Sequence, residues 1–316
     1  MVMSTRWKAL SASVQGANHA RGGLGNQDAV RLKNPSDSDD FLVLAVADGH
    51  GSARSFRSDR GSAMAAECAL KELRRFVRRL GPDATLSRVR NQAKAFWPRA
   101  LLTAWKSAVR EDLMAKPFTL FEFAAFPEPP PVPKPGVELP VTAYLAYGAT
   151  LITVAITHRY ILYSQLGDGD ILTVRTDGSV SRPWPRRHEF MANQTVSLCS
   201  HHAFEEFQIR VDALRGPMPA LIMLSTDGYA NCFGDDEGFY KVGSDFLSYL
   251  RAEGTDFVGE KLEEWLRQSS HDGSGDDITV GLAVRTNTLP FSAQPGRPPA
   301  PAPADPALTA PADAAP

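Results

Sequence analysis

Aspartate residues recur at the borders of short apolar segments, and this pattern constrains the fold more than any other feature of the sequence. Asp48 directly follows the apolar run FLVLAVA at residues 41–47, and Asp227 directly follows ALIMLST at residues 220–226. Short apolar runs that end in a turn signal such as Asp-Gly predict buried β-strands. Carboxylates at the ends of several such strands can converge on one point.

Further aspartates occupy comparable positions. Asp28 follows Gly-Asn-Gln, Asp168 follows the apolar run YILYSQL, and Asp276-Asp277 directly precede ITVGLAV. Each Asp-Gly alone is compatible with an ordinary turn, but repeated placement beside apolar strands favours a shared site. Clustered carboxylates repel one another and raise their pKa values unless a cation neutralises them. Because the candidate ligands are oxygen donors, the pattern favours Mg²⁺ or Mn²⁺ over zinc.

The apolar segments also predict a sheet protein whose helices come in blocks. Strands are expected at residues 41–47, 149–157, 160–166, 170–175, 220–226 and 278–284. The two segments that flank His158-Arg159 predict a hairpin, and residues 170–175 are expected to continue that meander. Helical spacing of apolar residues occurs at residues 73–80 and 247–266. Tight turns and grouped helices predict an α+β fold with antiparallel sheets, not a doubly wound parallel sheet.

The composition is that of an ordinary globular protein. Of 316 residues, 43% are hydrophobic and 22% are charged, which excludes wholesale disorder and a fibrous fold. The net charge of −2 argues against a dedicated nucleic-acid binder. Three distant cysteines match neither a disulfide framework nor a paired-cysteine zinc site, so a cytoplasmic location is expected. No apolar stretch is long enough for a signal peptide or a membrane span.

Two proline-rich segments and one basic segment organise the chain. Residues 287–316 are expected to form a disordered tail, because the Pro/Ala-rich stretch from residue 290 onward cannot bury enough apolar surface. Residues 127–140 are expected to form an exposed loop within one domain, residues 1–286. Residues 54–116 carry 15 basic and 6 acidic side chains. Their placement indicates a solvated helix face, with a docking surface for an acidic or phosphorylated partner as the alternative.

Six short motifs follow one another along the chain. They are Asn26-Gln27-Asp28, Val46-Ala47-Asp48-Gly49-His50-Gly51, Gly148-Ala149-Thr150, Leu166-Gly167-Asp168-Gly169, Ser225-Thr226-Asp227-Gly228 and Gly275-Asp276-Asp277-Ile278-Thr279. In this order and spacing the sequence resembles the metal-dependent protein phosphatases of the 2C type, in a bacterial branch, over roughly residues 11–284. The resemblance implies a four-layer αββα sandwich of two antiparallel sheets flanked by helices, with a metal cleft at one end.

The resemblance also implies a set of metal ligands. Asp48 corresponds to the carboxylate that bridges two ions, and the backbone carbonyl of Gly49 corresponds to an additional ligand. Asp28 corresponds to a ligand on one side of the ion pair, and Asp227 and Asp276 correspond to ligands of the other ion. Two Mn²⁺ or Mg²⁺ ions are therefore expected.

The expected phosphate-binding and acid groups lie near these ligands. His50 corresponds to the residue thought to act as general acid. Many family members carry a phosphate-binding Arg five residues before the first metal ligand, where this chain has Gly23. Arg21 or His19 is the expected replacement, because a basic donor suits a phosphate dianion, and a plain surface loop is the alternative.

Three further positions bear on a third ion and on accessory roles. Family members that bind a third, weaker ion use the equivalent of Asp168 and an aspartate at the position of Asn231. The neutral amide of Asn231 is a weaker ligand than a carboxylate, which disfavours that ion. Asp277 stands where many members carry Asn and is assigned a supporting role.

A second cluster of candidate ligands is less informative. Cys199, His201 and His202 could bind zinc, but no fourth ligand is evident, and a flap loop is the favoured interpretation. His188 stands beside two arginines and is expected at the surface.

Together these features predict hydrolysis of phosphoserine and phosphothreonine in proteins by a metal-activated water, with His50 protonating the departing oxygen. One alternative is a catalytically silent module of the same fold that binds a phosphorylated partner. The other is a phosphatase that acts on small molecules. The expected partners are protein substrates of a serine/threonine kinase, and a monomer without nucleic-acid partners is expected.

Overall fold

The computed structural model describes residues 7–124, 139–185 and 196–289. The strands in these ranges are β1 (Trp7–Val14), β2 (Ala29–Lys33), β3 (Leu42–Ala47), β4 (Leu151–Ile156), β5 (Tyr160–Leu166), β6 (Asp170–Val174), β7 (Val180–Ser181), β8 (Gln208–Ala213), β9 (Leu221–Ser225) and β10 (Ile278–Arg285). The helices are α1 (Ala17–Gly22), α2 (Ser58–Leu80), α3 (Leu86–Ala115), α4 (Leu120–Phe123), α5 (Val141–Leu145), α6 (Ala203–Glu206), α7 (Asp227–Ala230) and α8 (Asp236–Asp272). His188, residues 127–138 and the tail from residue 290 onward lie outside the described residues, so the expectations for them stay predictions.

The described strands pair antiparallel in two sheets. One sheet has the order β1-β10-β9-β6-β7 and the other β2-β3-β4-β5-β8, which confirms the expected αββα class. The hairpin predicted around His158-Arg159 joins β4 to β5. The expectation that residues 170–175 continue this meander is wrong, since β6 pairs with β9 and β7 in the other sheet. A sharp turn at residues 167–169, with Gly167 at a φ of 100°, redirects the chain between the sheets.

Strand β3 shows why the apolar segments are continuous rather than alternating. One set of side chains faces the core between the two sheets, namely Leu42, Leu44 and Val46. The other set faces the helices, namely Val43, Ala45 and Ala47. A strand that is covered on both faces needs apolar residues at every position. The run FLVLAVA is therefore that of a central strand in a layered fold.

Helices form the two outer layers. Helices α2 and α3 pack on the β2–β8 sheet, and α8 packs on the sheet that contains β1 and β10. The helical spacing at residues 73–80 falls within α2, where Leu73, Val77 and Leu80 are buried. Helix α8 bends at Gly254, which lies within the periodic segment predicted at residues 247–266. None of the described helices combines the length and the apolar composition that crossing a bilayer requires.

The basic segment at residues 54–116 contains the whole of α2 and α3. Several of its cations bind carboxylates of other elements. Arg74 and Arg78 pair with Asp39 in the connection between β2 and β3, and Arg60 pairs with Asp112 in α3. The solvated-face interpretation is therefore incomplete, because part of this positive charge fastens the helices to their neighbours.

Candidate functional site

The registers of the β2–β8 sheet place two of the candidate ligands side by side. Strands β2 and β3 are antiparallel, with Ala29 opposite Ala47. Asp28 precedes the first of these residues and Asp48 follows the second. The two aspartates therefore stand next to each other, just beyond the paired part of the sheet.

The second sheet places three more aspartates at its corresponding edge. Ser225, at the end of β9, lies opposite Asp170 at the start of β6. Asp168, Asp227 and Asp276 each lie within two residues of a strand end at this edge. The two edges meet, because the hydroxyl of Thr226, just after β9, donates a hydrogen bond to Asp28 beside the other sheet. The structure thus brings together side chains from five separate segments of the chain.

The electrostatics of the cluster are unfavourable without a counterion. Burial raises the pKa of Asp48 well above its ordinary value, and the charges of Asp28, Asp227 and Asp168 raise it further. Burial also raises the pKa of Asp28, against the opposing hydrogen bond from Thr226. The pKa of Asp227 is raised by burial and then by Asp168. Since each negative charge raises the pKa of the others, full ionisation at neutral pH favours a bound cation.

The chemistry of the cluster fits a hard divalent cation. Asp48 and Asp227 lie close together, so their negative charges repel each other when both are ionised. A divalent cation bound between them would relieve this repulsion through oxygen ligands alone. As placed, no three His, Cys, Asp or Glu side chains in the described part of the chain are gathered tightly enough to hold an ion.

A chain of hydroxyl groups holds Asp28 across the two sheets. Thr226 Oγ1 donates to Asp28 Oδ2 at 2.8 Å and accepts the backbone N–H of Thr279 at 3.0 Å. The Thr279 hydroxyl lies 2.7 Å from that of Ser13, which in turn accepts from Asn26 Nδ2 at 2.9 Å. Sequence reasoning missed these positioning residues. The sequence did carry a signal for two of them. Thr226 stands directly before Asp227-Gly228, and Thr279 stands directly after Asp276-Asp277-Ile278.

Asp277 ties the N-terminal segment to the site. It is buried, and its two carboxylate oxygens accept the backbone N–H groups of Gly16 and Gln27, each at 2.6 Å. His19 lies against the same group, with Nδ1 2.9 Å from Asp277 Oδ2 and Nε2 3.5 Å from Asp276 Oδ1. The Nδ1 contact is an ion-pair distance without the alignment of a hydrogen bond. As placed, His19 faces carboxylates.

Arg21 lies on the exposed side of α1. Its guanidinium donates to Asn18 Oδ1, three residues earlier on the same helix. Gly23, the position of the missing arginine, ends α1 with a φ of 71° and offers only backbone groups. The backbone N–H of Asn18 donates to the carbonyl of Gly275, directly before Asp276. Arg21 is therefore a cation near this part of the cluster, and no carboxylate of the cluster engages it through a described ion pair.

The Gly-Asp-Gly-Asp turn separates two aspartates with different surroundings. Asp168 is near enough to Asp48 and Asp227 to raise the pKa of both. Asp170 is buried, and its carboxylate accepts from Arg182 Nε at 2.5 Å. Asn231 turns its amide nitrogen toward Asp227 Oδ2 at 3.3 Å. Asp168 thus belongs to the cluster, whereas Asp170 belongs to a neighbouring ion pair.

His50 lies beside the cluster, two residues after Asp48 in the same motif. Its backbone N–H donates to the carbonyl of Gly148 at 3.1 Å, and Gly49 forms an isolated β-bridge with Ala149. Burial lowers the pKa of His50, and the negative charge of Asp168 opposes that shift. The imidazole therefore stands within electrostatic reach of the carboxylates.

The segment with the second cluster packs beside His50. The backbone N–H of Leu198 donates to the carbonyl of Ala149 at 2.9 Å, and Cys199 is buried. His201 and His202 are exposed and pack edge to face, with ring centroids 4.3 Å apart. The flap interpretation of this segment stays a prediction.

Comparison with known proteins identifies the family. The sequence profile of the family described as Protein phosphatase 2C matches residues 15–267 of the chain. The chain therefore belongs to the protein phosphatase 2C family, as the six ordered motifs predicted, and the phosphatase class of enzyme is confirmed. By sequence, no curated protein matches the chain.

Solved structures share the fold at low sequence identity. The catalytic domain of the serine/threonine protein phosphatase PstP, in complex with two manganese ions, is 16% identical with a TM-score of 0.51, over 88% of this chain and 97% of that one. Stp1 from Staphylococcus aureus is 15% identical with a TM-score of 0.52, over 90% and 97%. The serine/threonine phosphatase of S. agalactiae is 17% identical with a TM-score of 0.51, over 88% and 99%. These likenesses support the fold described above.

Proposed function

We propose that this chain hydrolyses phosphoserine and phosphothreonine in proteins with the help of two bound Mn²⁺ or Mg²⁺ ions. The observation that carries the proposal is the convergence of five aspartates at one end of the sandwich, with raised pKa values at Asp28, Asp48 and Asp227. Membership in the protein phosphatase 2C family supports the reaction class. Strongly perturbed carboxylates gathered in one place are a mark of functional sites.

Each ligand has a proposed place. Asp48 would be shared by the two ions, the carbonyl of Gly49 would be an additional ligand, Asp28 would serve one ion, and Asp227 and Asp276 would serve the other. The ions, when bound, supply positive charge to the phosphate oxygens and lower the pKa of a water molecule. The protein's own part is to orient the ligands, as Thr226 does for Asp28 through the 2.8 Å hydrogen bond.

The number of ions follows from the residue at position 231. Asp168 is near the cluster, but Asn231 offers a neutral amide oxygen where a carboxylate would be the stronger ligand, and its amide nitrogen lies toward Asp227. We therefore propose two ions rather than three. The manganese ions in the PstP catalytic domain agree with this choice of metal.

His50 is proposed as the general acid. Departure of a serine or threonine oxygen from phosphorus is slow unless that oxygen receives a proton. The imidazole packs against Gly148, which restricts its position, and it lies within electrostatic reach of Asp168. A ring nitrogen held there can deliver the proton to the departing oxygen.

Arg21 is the better candidate for holding the substrate phosphate. His19 stands within ion-pair distance of Asp276 and Asp277, so its contacts are directed toward the ligands. The guanidinium of Arg21 is bound only to Asn18 among the hydrogen bonds described for it. A guanidinium offers paired donors to a phosphate dianion.

The substrates are proposed to be phosphoproteins made by a serine/threonine kinase, with the chain acting as a cytoplasmic monomer. Residues 1–286 are proposed to form the phosphatase domain and residues 287–316 a tail. A catalytically silent binding module is not favoured, because Asp28, Asp48, Asp227 and Asp276, the expected ligands of the two ions, are all retained. A small-molecule phosphatase would use the same site and is distinguished by substrate range.

The test compares phosphopeptides and small phosphate esters with and without metal. Protein treated with chelator should be inactive, and Mn²⁺ or Mg²⁺ should restore turnover of a phosphoserine peptide. Asp48→Ala should lower the rate by more than about 100-fold, the scale of losing a major electrostatic contribution. The matched control is Asp83→Ala, since the Asp83 side chain is 99% exposed. Full activity in excess chelator would contradict the proposal, and turnover of small esters alone would favour the small-molecule alternative.

A further inference from the structure

A buried arginine outside the site binds several chain segments together. Arg57, just before α2, has a side chain that is only 6% exposed. Its Nε and Nη2 donate to the two carboxylate oxygens of Glu122 at 2.7 and 2.9 Å. Its Nη1 donates to the carbonyl of Lys116 and to the hydroxyl of Tyr147, each at 2.7 Å. The guanidinium thus joins the start of α2 to the end of α3, to α4, and to Tyr147, which directly precedes the motif Gly148-Ala149-Thr150.

Tyr147 carries this network toward the site. Its side chain is fully buried, and its hydroxyl, which accepts from Arg57, donates to Asp112 Oδ2 at 2.7 Å. Asp112 is held in turn by Arg60. The backbone N–H of Arg57 donates to the carbonyl of Ala146 at 2.8 Å. Residues 146–147 are therefore held by α3 and by the start of α2 through both the Tyr147 side chain and the Ala146 backbone.

The next residue touches the proposed general acid. The carbonyl of Gly148 accepts the backbone N–H of His50 at 3.1 Å. The imidazole packs so closely on Gly148 that a Cβ at this position would lie 2.5 Å from its Cδ2 atom. Two residues later, the backbone N–H of Thr150 donates to the carbonyl of Asp48 at 2.8 Å. The position of residues 146–150 therefore determines where the His50 ring can lie.

We propose that Arg57, Tyr147 and Asp112 form a positioning network that holds the His50 imidazole in place through Gly148. None of the three side chains belongs to the metal cluster, so they act through His50 rather than on the substrate. The inference rests on the proposed function of His50. A shift of about 1 Å at a catalytic group can cost as much as about 100-fold in rate, which makes such a network worth measuring.

The experiment is a double-mutant cycle on two substrates. Tyr147→Phe removes only the hydroxyl and keeps the buried ring. It should lower turnover of a phosphoserine peptide by about 10-fold, within the range for a misplaced catalytic group. Turnover of nitrophenyl phosphate, whose leaving group needs no proton, should change by less than about 2-fold. In a His50→Gln background, Tyr147→Phe should cause no further loss, because the two residues act as one unit.

Arg57→Lys provides the second variant, since lysine keeps the charge but loses the paired donors to Glu122 and Tyr147. Its control is Arg78→Lys on the same helix, where the arginine holds Asp39 at the far end of β3. Arg78→Lys should leave the ratio of the turnover rates on the two substrates unchanged. All rates are measured below the melting temperature of each variant, as determined by circular dichroism.

The outcomes separate the inference from the proposal beneath it. His50→Gln alone tests the general acid, and equal losses on the two substrates would remove that role. The positioning inference is overturned if Tyr147→Phe and Arg57→Lys lower the turnover of the phosphoserine peptide and of nitrophenyl phosphate by the same factor. It is also overturned if Tyr147→Phe costs the same factor with and without His50.

Discussion

At the scale of single residues, neighbouring side chains decide what each candidate can do. Two basic residues, Arg21 and His19, are equivalent candidates from the sequence. The structure separates them, because His19 lies 2.9 Å from Asp277 and Arg21 contacts only its own helix among the contacts described. A histidine beside metal-ligand candidates orients them, whereas a guanidinium near the cleft can bind phosphate.

This distinction leads to opposite kinetic signatures. Arg21→Ala should raise KM for a phosphopeptide by about 10-fold, the value of a charged hydrogen bond, with a smaller effect on kcat. His19→Gln should instead raise the Mn²⁺ concentration for half-maximal activity by about 10-fold, as loss of an orienting partner does. Both quantities come from initial rates at varied substrate and metal. If Arg21→Ala leaves KM and phosphate inhibition unchanged, Arg21 is only a surface residue.

At the scale of elements, α2 is fastened at both ends by arginines. Near its start Arg57 binds Glu122, and near its end Arg78 binds Asp39 through two hydrogen bonds of 2.8 and 2.6 Å. Hydrogen bonds from Arg78 hold the pKa of Asp39 at about 2, and those from Arg57 hold the pKa of Glu122 at about 2. Both carboxylates therefore stabilise the fold in their charged form.

The Asp39 pair gives a stability prediction with a definite sign. A carboxylate with a lowered pKa in the folded state contributes its stability above its unfolded pKa, about 3.9, and loses it as pH falls toward about 2. Asp39→Asn should lower the melting temperature by about 2–4 °C at pH 7. The difference from wild type should shrink as the pH is lowered from about 4, as followed by thermal melts across the range.

Asp83→Asn is the control for this measurement, since the Asp83 side chain is 99% exposed. It should leave the melting temperature nearly unchanged at every pH. A constant deficit for Asp39→Asn down to the lowest pH would show that the residue acts by packing and not by its charge.

At the scale of the whole molecule, the site lies where the two sheets meet. Asp28 belongs to one sheet and Thr226 to the other, and their hydrogen bond spans the two layers. Repulsion within the aspartate cluster therefore opposes the packing of the sheets at this end. Metal binding and folding stability should be linked, because a ligand that binds only the folded state stabilises it.

The linkage predicts a reversal of sign with metal. In excess chelator, Asp48→Asn should raise the melting temperature by about 2–4 °C, because it removes a buried charge whose pKa is raised. In saturating Mn²⁺, wild type should gain more stability than the variant and become the more stable of the two. Calorimetry under both conditions measures this. A lower melting temperature for Asp48→Asn in chelator would contradict the repulsion argument.

The sequence by itself determined the family, the order of the motifs and most central strands. The reason is that these depend on local signals. A seven-residue apolar run that ends in Asp-Gly, such as residues 41–47, predicts a buried strand, and apolar residues at helical spacing in residues 73–80 predict a helix with one apolar face. The aspartates were recognisable because each stands beside such a run.

Only the tertiary structure decided the contacts between distant segments. The chain leaves one sheet for the other at residues 167–169, a turn that local patterns cannot distinguish from a hairpin. Thr226 reaches Asp28 across 198 positions, and Arg57 reaches Tyr147 across 90. Such pairs form because packed layers bring them together and because buried polar groups need partners. No period or spacing in the sequence encodes them.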